Sequence, residues 1–309
     1  MRVIFIGIGS IAKKHIAALQ AIDSNIEIHA LRSSKESRPY PNVTDIYSYS
    51  SINRNDYDFA IISNPTSEHA RTIRDLISYN IPLFIEKPLF SELGHENILN
   101  LIKEKGIKTY VACDMRFLDC LNYMYDYIHG DGSTRRVNEV NVYCGSYLPG
   151  WRPGTDYKKC YSAIPELGGG VHIDLIHDID YVYWIFGAPL STSKVFRNKS
   201  SIDIRAYDYA NYTMIYNEFC ASVILNYYRR DAKRTMEVVF EDGTWAVDMN
   251  ANLITDETGA LVYKSCQSGM DCYLKQLQSF INTLNKSNQK NSNDAFEAYE
   301  VLKICLEEE

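Results

Sequence analysis

The sequence predicts an α/β chain in two parts. A doubly wound parallel sheet comes first, followed by an α+β domain with a large, mainly antiparallel open sheet. Three observations carry this. Short apolar runs alternate with helix-periodic segments over the first third of the chain. From about Arg116 onward, longer segments alternate residue by residue, as strands with one covered face do. At 309 residues, the chain is longer than one hydrophobic core usually organises.

Arg2 to Ile6 is the first apolar run, and Gly7 to Ser10 punctuates it. From Ile11 the apolar residues Ala12, Ile16 and Leu19 recur at helical spacing. Ile26 to Leu31 reads as the second strand, and Phe59 to Ile62 as another, ended by Asn64-Pro65. Ser67 to Tyr79 is an amphipathic helix with Ala70, Ile73, Leu76 and Ile77 on one side. Pro82 to Ile85 is a strand running into Glu86-Lys87-Pro88, followed by a helix over Gly94 to Lys105 and a strand over Thr109 to Cys113. This alternation means βαβ units. The expected boundary lies between residues 117 and 118, which divides the chain into domains over 1–117 and 118–309.

In the second part, a helix over Leu118 to Ile128 precedes strands over Val137 to Tyr147, Ile202 to Tyr216, Cys220 to Tyr228 and Thr235 to Phe240. Glu241-Asp242-Gly243 signals a hairpin into Thr244 to Asp248. One long apolar helix is expected from Gly169 to Phe186. The tail is helical, with Tyr273, Leu277, Phe280, Ile281 and Leu284 on one face. A polar loop over Lys286 to Asn293 then leads to a last helix over Asp294 to Leu306.

Lys+Arg 32 against Asp+Glu 39 gives a net charge of −7, which argues against a nucleic-acid or anionic-membrane partner. The most apolar run, Val171 to Leu190, is broken by His172, Asp174, His177, Asp178 and Asp180, so no membrane span is expected. Strand-like sequence begins at Arg2, with no secretory leader before it. None of the 8 cysteines stand in a Cys-x-x-Cys spacing, so reduced thiols in a cytoplasm are expected and no metal site is.

Gly7-x-Gly9-x-x-Ala12 follows a strand and opens a helix, which is the context a dinucleotide needs. Gly7 permits the tight turn, and Gly9 lets backbone N–H groups approach a pyrophosphate. The helix start at Ser10 and Ile11 adds partial positive charge. The second strand ends Arg32-Ser33-Ser34, without the acid that usually binds the adenosine ribose of NAD. A planar cation with two hydroxyls suits a 2′-phosphate. The expected cofactor is therefore NADP(H), with NAD(H) as the alternative.

Glu86-Lys87-Pro88 stands at the carboxyl end of a parallel strand, the edge that faces the ligand crevice. A lysine there can hold a ribose and a substrate hydroxyl together; the plain alternative is a surface turn. Asp174 and His177 lie three apart after Gly168-Gly169-Gly170, and project from one helical face. Imidazole suits proton exchange with a hydroxyl, whereas a satisfied core pair is the plain alternative. His172 points about 160° away from Asp174 on a helix and reads as structural.

Together these motifs resemble the Gfo/Idh/MocA family, the glucose-fructose oxidoreductase and inositol dehydrogenase relatives. Asp58-Phe-Ala-Ile-Ile-Ser-Asn64-Pro65-Thr66-Ser-Glu-His69 is similar to that family's third-strand motif. Met115-Arg116-Phe117, Trp151-Arg152-Pro-Gly-Thr-Asp-Tyr157 and Asp174-Leu-Ile-His177 resemble a subgroup associated with bacterial surface-sugar biosynthesis.

The resemblance implies a Rossmann domain, an open-sheet domain that forms a homodimer or homotetramer, and hydride transfer on a sugar or nucleotide sugar. It implies Lys87, Asp174 and His177 as catalytic residues. It also places Asn64, Pro65, His69, Glu86 and Lys87 at the cofactor. In the inositol dehydrogenase pattern the histidine follows the aspartate by four residues, and here by three, as in the subgroup. In the Tyr147 to Tyr161 loop, Trp151 and Tyr157 are suited to stack on a sugar, and Arg152, with Arg116, to hold a carboxylate or phosphate. A surface loop pinned by Pro149 and Pro153 is the alternative. The family also includes redox-neutral sugar enzymes and non-catalytic dinucleotide-binding regulators.

Overall fold

A computed structural model describes residues 1–53, 56–130, 134–285 and 292–307. It forms two compact units. The first holds Met1–Asp114 and Ser268–Leu302, and the second holds Met115–Gln267 and the chain from Lys303.

The first unit runs β1 (Arg2–Ile6), α1 (Ser10–Ile22), β2 (Glu27–Leu31), β3 (Thr44–Ile46), β4 (Phe59–Ile62), α2 (His69–Ile77), β5 (Leu83–Ile85), α3 (Glu96–Lys105) and β6 (Thr109–Val111). Its strands form one sheet in the order β3-β2-β1-β4-β5-β6. Every pairing is parallel. The order reverses between β1 and β4, which makes the crevice at their carboxyl ends the ligand position of such a sheet. Val3 to Phe5 and Phe59 to Ile62 are fully buried, as strands covered on both faces must be. Helix α1 turns Ala12, Ile16 and Leu19 inward and also buries His15. Helix α3 stops at Gly106, whose φ of 61° supplies the left-handed cap.

The second unit runs α4 (Asp119–His129), β7 (Val137–Tyr147), α5 (Val171–Asp174), α6 (His177–Phe186), β8 (Ser191–Arg197), β9 (Tyr209–Ile215), β10 (Cys220–Asn226), β11 (Tyr228–Phe240), β12 (Gly243–Asp248), β13 (Leu253–Asp256) and β14 (Leu261–Lys264). The sheet order is β14-β13-β12-β11-β7-β10-β9-β8. Only β7 with β10 is a parallel pair. Along β7, Val140, Val142 and Cys144 are buried and alternate with Asn141 and Tyr143. Helix α5 lies against β9 and β10, and α4 against β12 and β14. The Glu241-Asp242 hairpin joins β11 to β12, with Phe240 opposite Gly243.

Helix α7 (Gly269–Asn285) belongs to the first unit, and α8 (Ala295–Leu306) carries the division at residue 302. The two units thus divide the chain after residue 114, before residue 268 and after residue 302. The apolar face of α7 packs on α1. Phe280 there meets Phe59 at 5.2 Å, Phe84 at 5.5 Å and Tyr110 at 5.9 Å between ring centroids. Burying such a ring contributes about 1.5–3 kcal/mol.

Three further expectations change. The Gly169–Phe186 helix is two helices, because the bonding tightens at the joint: the Ile176 and Ile179 amides bond three residues back, to the Ile173 and Ile176 carbonyls. Strand structure begins at Tyr209, not at Ile202. The expected loop over 286–293 lies, as far as residue 291, outside the described residues. Among the described residues no helix is long and apolar enough to cross a membrane.

Candidate dinucleotide and catalytic sites

In the first unit, a cavity of about 800 Å³ lies at the carboxyl ends of β1, β2 and β4, where Gly7, Gly9, Arg32, Ser33 and Asn64 line it. Gly7 has φ +90°, and a Cβ on it would stand 3.1 Å from the Asn64 Cα. It is glycine for the turn itself. Gly9 has nothing within 4 Å of where a Cβ would be. Its openness leaves room for a ligand against the backbone. Helix α1 begins at Ser10 with no side-chain cap and no acid in its first turn. Its first N–H groups thus offer an anion a site. These residues fit a dinucleotide pyrophosphate.

At the far end of the cavity, Arg32 Nη1 pairs with Asp45 at 3.1 Å and Nη2 donates to the Arg38 carbonyl at 3.2 Å. Ser33 lines the cavity. Ser34 Oγ accepts from the Glu36 amide at 3.1 Å, in a local turn. Tyr47, Ser48, Tyr49 and Arg71 also line the cavity and carried no motif in the sequence.

Asn64 and Pro65 line the same cavity, and the Asn64 amide donates to Thr72 at 2.8 Å. His69 does not reach it. The ring is 1% exposed, with Nε2 at 3.1 Å from the Asn64 carbonyl and Nδ1 at 3.0 Å from the Pro88 carbonyl. Burial lowers its pKa, which favours a neutral ring that donates to one of them. His69 thus ties the Asn64-Pro65 loop to the Lys87-Pro88 loop.

Glu86 also turns inward, 2.5 Å from His15 Nε2 on α1. His15 is 0% exposed and packs edge-on against Phe84 and Tyr273. A histidine on the apolar face of a helix was the available signal for it. Lys87 is half-buried after the strand, and the Lys87–Pro88 peptide is cis.

In the second unit, Asp174 ends α5 and is 6% exposed. Three hydroxyls donate to its carboxylate: Tyr161, Ser162 at 2.8 Å and Tyr227 at 2.9 Å. No motif marks these three partners, which come from the turn over Tyr161–Ala163 and from the residue between β10 and β11. His177 is half-buried and starts α6. Just after it, Asp178 accepts from Arg234 at 2.6 Å and from Tyr181 at 2.8 Å.

Arg116 is 0% exposed and pairs with Asp180 at 2.7 Å, which clamps it to α6. Trp151 and Arg152 are exposed, and the Trp151 indole donates to Ser146 at 3.0 Å. The Tyr157 hydroxyl donates to the Ile202 carbonyl at 2.9 Å. That bond anchors the loop through Tyr157.

Residues 1–113 match the sequence profile of an oxidoreductase family with an NAD-binding Rossmann fold. No curated protein matches the chain. Solved structures share the fold over nearly its full length. The WlbA dehydrogenase from Bordetella pertussis, in complex with NADH and UDP-GlcNAcA, is 17% identical with a TM-score of 0.81, over 99% of this chain and 94% of that one. The UDP-N-acetylglucosamine 3-dehydrogenase GnnA from Acidithiobacillus ferrooxidans is 18% identical with a TM-score of 0.75, over 99% and 95%. The myo-inositol 2-dehydrogenase from Lactobacillus plantarum is 18% identical with a TM-score of 0.77, over 99% and 95%. Over residues 1–113, this chain is similar to the Gfo/Idh/MocA oxidoreductase family.

Proposed function

We propose that the chain transfers hydride between a nicotinamide dinucleotide and a ring carbon of a sugar or nucleotide sugar. The observation that carries this is the open glycine turn on its cavity, with Lys87 on the strand-end loop of the same sheet. The nucleotide-sugar dehydrogenases of the same fold add support for the substrate class.

The first unit is the proposed dinucleotide unit, and the second the proposed substrate unit. When bound, the nicotinamide supplies or takes the hydride. Lys87 is proposed to polarise the substrate oxygen as alkoxide charge develops. His177 is proposed to exchange the hydroxyl proton. Asp174, a carboxylate already held by three hydroxyls, orients imidazole or substrate. Trp151 and Arg152, both exposed, are the proposed sugar and anion contacts. NADP(H) is the proposed preferred cofactor, with Arg32 and Ser33 at the ribose and NAD(H) as the alternative. A cytoplasmic homodimer or homotetramer, assembled through the eight-stranded sheet, completes the proposal.

The test begins with a thermal-shift screen of free and nucleotide sugars, with NADP(H) present. Turnover of the hit is then followed by nicotinamide absorbance. Lys87→Met should keep dinucleotide affinity and lower kcat by about 100-fold or more. A near-normal kcat would refute the role of Lys87. A screen without any sugar ligand would refute the substrate class.

A further inference from the structure

The Arg32 guanidinium is held from two sides, by Asp45 at 3.1 Å and by the Arg38 carbonyl at 3.2 Å. The Arg32 and Asp45 side chains are 10% and 12% exposed, so water screens the pair little. Arg32 lines the cavity and Asp45 does not, so the carboxylate stands behind the cation as seen from the ligand. Strand pairing fixes that place, because Asp45 on β3 is in register with Ala30, two residues before Arg32. The other cation at the cavity, Arg71, is 77% exposed and only loosely paired with Glu68 and Asp75, at 3.9 Å each. Solvent damps its field, so Arg32 is the cation whose charge matters most to a phosphate placed there.

We infer that Asp45 sets the cofactor specificity of this site. It holds the Arg32 fork in place and cancels much of its charge. The site therefore meets a 2′-phosphate with planar N–H donors but with a reduced net positive field. Asp45 is in this sense a positioning and neutralising residue that keeps NAD(H) usable beside NADP(H). The inference rests on the dinucleotide reading above.

Calorimetric titration of NADP⁺ and NAD⁺ into the wild-type protein, Asp45→Asn, Arg32→Gln and the double variant tests it. Asparagine keeps an oxygen acceptor for Arg32 and removes the charge. Asp45→Asn should tighten NADP⁺ by about tenfold and move NAD⁺ by less than about twofold. In the Arg32→Gln background the same change should have no effect on either. Unchanged or weaker NADP⁺ binding by Asp45→Asn, or equal tightening of both dinucleotides, would overturn the inference. Should Asp45→Asn fail to fold, Asp45→Ser carries the same expectation. If the wild-type protein binds neither dinucleotide, the underlying reading falls and takes this inference with it. Retained NAD⁺ binding with an unmoved NADP⁺ affinity fells the inference alone.

Discussion

Arg116 donates two hydrogen bonds to Asp180, from Nε at 2.9 Å and Nη2 at 2.7 Å, and the two side chains are 0% and 1% exposed. Removing Arg116 leaves the buried Asp180 carboxylate without its cation. Arg116→Ala should therefore cost about 3–5 kcal/mol of stability, while replacing both by apolar residues of similar volume should cost much less. Urea unfolding of the single and double variants measures this. Equal losses in both would show that packing around Arg116 matters more than its charge.

Gly7 and Gly9 should respond oppositely to a methyl group. Gly7→Ala meets φ +90° and the Asn64 backbone, and should cost about 1–3 kcal/mol of stability. Gly9 has φ −93° and open space at its Cβ position, so Gly9→Ala should fold normally. On the proposed dinucleotide reading, its dinucleotide affinity should fall by about tenfold, because the methyl would fill space meant for the pyrophosphate. Melting temperature and dinucleotide titration separate the two effects. Full affinity in Gly9→Ala would place the phosphates elsewhere.

The three hydroxyls around Asp174 should fix where its carboxylate stands. Tyr227→Phe removes a donor that sits at 2.9 Å and leaves the carboxylate freer to turn. Stability should fall by about 1–3 kcal/mol. On the proposed role of Asp174, kcat should fall by about tenfold while KM changes little. An unchanged kcat would confine the Tyr227 hydroxyl to a structural role.

His172 gives the protein a pH dependence of its own. Its ring is 7% exposed, packed on Phe196 and Tyr207, and burial lowers its pKa from 6.5 to about 4. As pH falls, the unfolded chain takes up the proton first, so stability is intact above pH 6.5 and declines down to about pH 4. The loss should approach about 3 kcal/mol. Urea midpoints across that range should slope less steeply in His172→Leu than in the wild-type protein. Parallel slopes would assign the acid sensitivity to other groups.

Much of the first unit was readable from the residues because its strands are short apolar runs cut by glycine, proline or asparagine. Gly7, Asn64 and Lys87 each fall at such a cut, and each stands at a strand end in the fold. The break between Asp174 and His177 was not readable, since Leu175 and Ile176 continue the apolar pattern through it. Strand β8 shows no readable alternation, because its more exposed positions (Ser191, Ser193, Val195, Arg197) and its less exposed ones (Thr192, Lys194, Phe196) each hold one large apolar residue. Nothing in the sequence around Arg116 marks its partner, and only the fold brings Asp180 to it across 64 positions of sequence. His69 followed its motif to the right loop, yet spends its ring on backbone carbonyls there.

The return of α7 to the first unit bears on how the molecule is made. Phe280 fills the gap among Phe59, Phe84 and Tyr110, and α7 covers one side of α1. During synthesis, the first 114 residues leave the ribosome long before that helix does. Until residues 269–285 emerge, the sheet exposes an aromatic cluster to water and to chaperones. The intervening domain has by then been translated in full. Completion of the first unit is thus a late event in biogenesis, and a gene truncated after residue 114 would encode a sticky, half-covered sheet.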